Sequence, residues 1–211
     1  MSIQCVCVAR PVQGQEKRTN PKAIEALAKE WKRLRDIFTW NEDGVQEWRK
    51  VCSEAEAKGE EAHVGAVFDI CVEKNSELKE DGKNRKFKGR VVFQGNRVLD
   101  TNWEAAMFQE LSSCPATMQA ANAAECYGLV PGNHVMQADA EMAYTQSLLG
   151  GVKTWVRIPK EQWRKEWTDK GMKDPVCPLA RALYGHPDVG GYWEKHCERH
   201  LFSSGFIPVK E

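Results

Sequence analysis

After Asn20-Pro21, apolar side chains recur at Ile24, Leu27, Trp31, Leu34 and Ile37, every three or four residues. This spacing predicts an amphipathic helix with Asn as its cap and Pro in its first turn. The other face carries Lys22, Glu25, Lys29, Lys32 and Arg33, the make-up of a solvated surface. A second helical piece is expected from Val45 to Ala57, ended by Gly59. At His63 the texture changes to Val-Gly-Ala-Val-Phe-Asp-Ile-Cys-Val, and it returns in Phe87-Lys-Gly-Arg-Val-Val-Phe-Gln. Runs of β-branched and aromatic residues around a polar link containing Asp81-Gly82 predict an antiparallel hairpin with a long charged connection.

A loop follows at Asp100 to Trp103, then a small-residue helix from Pro115 to Tyr127, stopped by Gly128 and expected to pack under a sheet. His134-Val-Met-Gln-Ala reads as a short buried strand that delivers Asp139 to a rim. A short helix to Leu149, a break at Gly150-Gly151 and a strand at Thr154 to Ile158 come next, the strand ended by Pro159. Lys160 to Lys173 is a charged connection. The last helix, Tyr192 to Ser204, places Trp193, Cys197 and Leu201 on one face and stops at Gly205. The mixture is α+β, without internal repeats.

The composition, 42% hydrophobic and 28% charged over 211 residues, is that of a globular chain rather than a disordered one. Thirty basic and thirty acidic residues cancel, so any attraction for a polyanion must come from local clusters. Eight cysteines without a Cys-x-x-Cys pair predict free thiols rather than a disulfide framework. The N-terminus has neither a basic leader nor a small-residue cleavage site, and no apolar run reaches the roughly 18 residues of a membrane span. An intracellular protein without a membrane partner is expected.

Three stretches carry candidate chemistry. Lys83, Arg85, Lys86, Lys88, Arg90 and Arg97 interleave with Phe87 and Phe93; they suit either a solvated hairpin or a phosphate-contacting finger. Asp139 suits either a helix cap or a carboxylate presented by a strand. His196 and His200, four apart on the final helix, are able to share an ion, but their spacing to Glu198 is not that of the zinc-protease motif.

The order of these features resembles the reverse transcriptase of copia-type long-terminal-repeat retrotransposons over about residues 20 to 208. Lys88-Gly89-Arg90-Val91-Val92 is similar to the family's Lys-Ala-Arg-Leu-Val, with Gly95 as its characteristic glycine. Ala138-Asp139-Ala140-Glu141-Met142-Ala143-Tyr144 is similar to Leu-Asp-Val-Lys-Asn-Ala-Phe, and Leu183-Tyr184-Gly185 with Tyr192-Trp193 to Leu-Tyr-Gly and its following aromatic pair. The resemblance implies the fingers and partial palm of a right-hand polymerase: residues 1–19 a tail, about 20–133 mainly fingers, 134–208 the start of the palm. It implies Asp139 as catalytic Mg2+ ligand, the Ala140 carbonyl near the nucleotide-bound ion, Tyr144 as an aromatic gate against the ribose 2′-hydroxyl, and Lys88 and Arg90 on the triphosphate. Gly185 and Asp188 would lie near template or nucleotide. The implied partners are an RNA or DNA template–primer, deoxynucleotides and the remaining palm or polyprotein segment.

The chain departs from the family at Leu183-Tyr-Gly-His-Pro-Asp188, where an acid replaces a Gln, and it carries no Asp-Asp pair of the Tyr-x-Asp-Asp type. One carboxylate does not hold two magnesium ions. The expectation is therefore a polymerase fragment inactive alone, with a non-catalytic nucleic-acid-binding remnant or a functionless relic as alternatives.

Overall fold

The computed structural model describes residues 8–79, 82, 84–108 and 116–207; Cys5, Cys7, Asp81, Lys83, Cys114 and Pro115 lie outside them. The elements run β1 (Ala9–Val12), α1 (Gly14–Thr19), α2 (Pro21–Asp36), β2 (Gln46–Glu47), α3 (Trp48–Lys58), β3 (Ala62–Lys74), β4 (Lys86–Phe93), α4 (Met118–Gly128), α5 (Ala143–Gln146), β5 (Lys153–Arg157), α6 (Lys165–Asp169), β6 (Pro175–Pro178) and α7 (Val189–Ser203). The class is α+β. None of the described helices is long and apolar enough to cross a membrane.

α2 starts as its sequence dictates, with the Asn20 side chain accepting from the Lys22 N–H and Pro21 in the first turn. Its buried stripe is Ala23, Leu27, Trp31 and Leu34, whereas Ile24 is exposed. Ala23 is in phase with Leu27 and Trp31 on the buried side, and Ile24, one position on, turns outward. α3 ends at Gly59 with a left-handed φ of 65°. It begins later than expected, because Gln46 and Glu47 are drawn into β2 against β6.

β3 is the axis of the sheet. Its first half, from Ala62, runs parallel to β5, while its second half pairs antiparallel with β4 from Val67↔Phe93 to Lys74↔Lys86 and with β1 at Cys71 to Lys74. Residues 9–19, expected as a tail, are thus part of the fold. α3 covers one face of the β5 and β6 region through Trp48, Val51, Val64, Trp155 and Val176. A larger core beneath α2 joins Trp31, Leu34, Trp40, Val91, Phe93, Val156, Trp167 and Leu183. Five tryptophans, 31, 40, 48, 155 and 167, are at most 2% exposed, and each removes on the order of 200 Å² from water. They explain why a chain with 28% charged residues still closes a core.

Two buried glutamates tie the arginines. Glu42 accepts from Arg35, Trp40 and Arg164, and these hydrogen bonds hold its carboxyl below the usual carboxylate range although burial opposes them. Glu73 accepts from Arg10 at 2.6 Å and from Arg85. The five described cysteines, 52, 71, 126, 177 and 197, are free thiols.

Three expectations fail in the middle of the chain. Val135 to Asp139 is irregular and exposed rather than a strand, because no neighbouring backbone offers it a ladder. α4 forms, but none of its residues is buried, so it does not pack under a sheet. The helix expected up to Leu149 is only α5, after which Ser147 and Leu149 turn to bond Ala182 and Ala180.

Candidate nucleic-acid interface

The period of two in a strand sorts the basic hairpin into two functions. On β3, Val67, Cys71 and Glu73 face α1 and α2 and are buried, while Phe68 and Ile70 stay 42% and 39% exposed on the opposite side. The register sets Lys86 opposite Lys74, Lys88 opposite Val72, and Arg90 opposite Ile70. One open sheet face therefore carries Lys74, Lys86, Lys88 and Arg90 around Phe68 and Ile70. These four cations form no ion pair among the described residues. Arg85 faces the covered side and is held by Glu73. Arg97 lies in the exposed turn beyond β4.

The Lys88 side chain is exposed, yet its pKa lies below the ordinary lysine value. Loss of hydration around the ammonium is the largest cause, followed by repulsion from Arg90 and Lys74. A polyanion laid across this face would relieve that repulsion.

Gly89 makes the other side of β4 possible. A Cβ there would stand 2.7 Å from the Ala26 carbonyl oxygen, so the missing side chain lets α2 press against the strand.

Distant motifs meet at the far end of β4. The Phe93 N–H donates to the Tyr184 carbonyl at 2.7 Å. Gly185 has a φ of +91°, and a Cβ on it would lie 2.1 Å from the Phe93 carbonyl oxygen; one on Gly95 would lie 2.1 Å from the Gly185 oxygen. Only two glycines allow these backbones to touch. Held there, the Tyr184 ring lies 5.7 Å beneath the Arg90 guanidinium and 4.7 Å from Tyr144, edge to face. Arg181 fixes the Tyr144 segment by donating to the carbonyls of Ile37, Thr145 and Gln146. Arg90, Tyr144, Gly95 and Gly185, separate in sequence, thus form one corner. Tyr184 joins them, and the Leu-Tyr-Gly motif was the signal for it.

The remaining candidates lie elsewhere. Asp139 and Ala140 are exposed in the irregular segment. Among the described residues no group of three or more His, Cys, Asp or Glu is arranged to hold a metal ion. Magnesium takes several oxygens in a fixed octahedron, and among the described residues Asp139 belongs to no such group. His196 and His200 have ring centroids 4.5 Å apart, with Trp193 stacked on His196. Asp188 precedes α7, half-buried, and faces a cavity rather than the basic face.

No family model matches the chain, and no match is found among curated proteins or solved structures.

Proposed function

We propose that the chain is a reverse-transcriptase-like fragment, fingers with the start of a palm, that binds nucleic acid through the open face of β3 and β4 and does not extend primers by itself. The observation that carries this reading is the basic face of Lys74, Lys86, Lys88 and Arg90, which form no ion pair among the described residues, around exposed Phe68 and Ile70. Phosphates pair with such cations, and bases stack on exposed aromatic surface. The motif order supports the same reading, since the segments resembling polymerase motifs supply Arg90, Tyr184 and Tyr144 to one corner. Met118, Tyr127, Leu129, Val135 and Met136 are exposed along 118–136, a surface that further palm would cover in this reading.

The test is fluorescence anisotropy with a labelled template–primer duplex at low salt. Lys88→Gln with Arg90→Gln should weaken binding at least tenfold and reduce the salt slope by about two. Asp139→Asn should leave both unchanged, and no primer extension should occur with magnesium and deoxynucleotides. Binding insensitive to Lys88 and Arg90, or extension that depends on Asp139, would overturn the proposal.

A further inference from the structure

A second site lies where β3 begins, in a cavity of ≈ 320 Å³ that shares no lining residue with the basic face. This volume is at the small end of ligand pockets. His63, 2% exposed, and His186, 4% exposed, form part of its wall together with Asp188. The Glu61 carboxylate accepts from His63 Nε2 at 2.8 Å, which leaves His63 Nδ1 without a partner. The Asp188 backbone N–H donates to His186 Nδ1 at 3.2 Å, so the ring proton of neutral His186 sits on Nε2 and that donor is unpartnered. Asp188 Oδ1 is the third buried atom without a partner. Unmade hydrogen bonds of this kind cost about 1–3 kcal/mol each, and three around one cavity point to an occupant.

The charge of the lining selects the ligand. Among the described residues it contains the carboxylates Glu61 and Asp188 but neither Lys nor Arg. Burial pushes the His186 pKa down to about 4, so this imidazole adds no positive charge near neutrality. A phosphate or nucleotide therefore finds no counter-charge. Asp188 Oδ1 and His63 Nδ1 call for donors, whereas His186 Nε2–H calls for one acceptor. The walls are aromatic: Phe108 lies edge-on to both imidazoles at 5.0 and 5.4 Å, and Tyr192 packs against Gly150-Gly151. A Cβ on Gly151 would be 2.7 Å from the tyrosine oxygen, so the glycine pair lets Tyr192 close that side.

We propose that this cavity binds a small organic cation with an ammonium group next to a carbonyl, the chemistry of an α-amino amide. The ammonium donates to Asp188 and His63, the carbonyl accepts from His186, and a short hydrocarbon side chain lies against Phe108 and Tyr192. This assignment stands apart from the nucleic-acid reading.

The experiment is a titration of the whole chain followed at the Gly150 and Gly151 amides by nitrogen-15 correlation spectra. Leucinamide should give a saturable shift there. N-acetylleucinamide, which keeps the carbonyl and loses the charge, should bind at least tenfold more weakly, and dATP should give no shift. Asp188→Asn should weaken leucinamide at least tenfold while the dispersion of the spectrum shows an intact fold. Should that variant not fold, the comparison of leucinamide with its acetylated form on the unaltered chain still decides. Absence of a saturable leucinamide shift at millimolar concentration, equal binding of the acetylated form, or preference for dATP would overturn the assignment.

Discussion

Replacing Gly185 by Ala should destabilise the chain by about 2–5 kcal/mol, the sum of a left-handed residue acquiring a Cβ and a steric overlap with the backbone of β4. The overlap is with backbone, 2.1 Å from the Phe93 oxygen, so no side-chain rotation removes it. Gly205→Ala is the control: its φ of +88° is nearly that of Gly185 at +91°, but nothing lies within 4 Å of its added carbon. It should cost only about 1–2 kcal/mol. The difference between the two urea midpoints isolates the contact between β4 and the Tyr184-Gly185 turn. Equal costs would mean that the turn does not sit against β4, and the Arg90–Tyr184–Tyr144 corner would lose its foundation. The Gly185 variant should also release Tyr184 from Arg90 and, on the proposed function, weaken nucleic-acid binding beyond what unfolding accounts for.

The second large effect is expected on acidification. His186 has a pKa of about 4 in the fold against an ordinary 6.5, chiefly because burial disfavours its charged form and secondarily because His63 is near. Above pH 6.5 the ring is neutral in both states and contributes nothing to pH dependence. Between 6.5 and 4 the unfolded chain takes up a proton that the native chain refuses, so stability falls with pH by on the order of 3 kcal/mol. Below about 4 both states are protonated and the loss is complete. His196, also shifted down by loss of hydration, acts in the same direction. Glu42 and Glu73 are carboxyls held low, so their contribution is present above the ordinary carboxylate range and disappears only in stronger acid. His186→Phe, set between Phe93 and Phe108, should flatten the dependence of the melting temperature on pH between 6.5 and 4. An unchanged slope would show that His186 is not buried as described.

The regular elements were legible wherever burial imposes a period. The stripe of α2 and the alternation of β4 and the second half of β3 are read directly from the chain, because there each element is buried on one face only. Pattern alone does not suffice where a neighbour decides. Val135 to Asp139 has strand-like residues, yet a strand exists only when another backbone pairs with it, and sequence does not say which backbone is adjacent. Ile24 is more apolar than Ala23, yet the phase of Leu27 and Trp31 selects Ala23 for the buried side. Of the candidate site, Lys88 and Arg90 could be placed on one face from the strand period alone. The union of Arg90 with Tyr144 could not, since it depends on the backbone contact of Gly95 with Gly185. The cavity is hidden for a similar reason: His63 lies at the start of a strand and His186 precedes a helix, and only the folded chain brings them to the same wall.

The length of β3 bears on how the molecule opens. Thirteen residues without a break serve β5 at one end and β1 and β4 at the other. The β5 ladder ends at Ala66, opposite Arg157, and the β4 ladder begins at Val67, opposite Phe93, so the two abut on one continuous backbone. Moving one ladder relative to the other would require bending this strand between Ala66 and Val67.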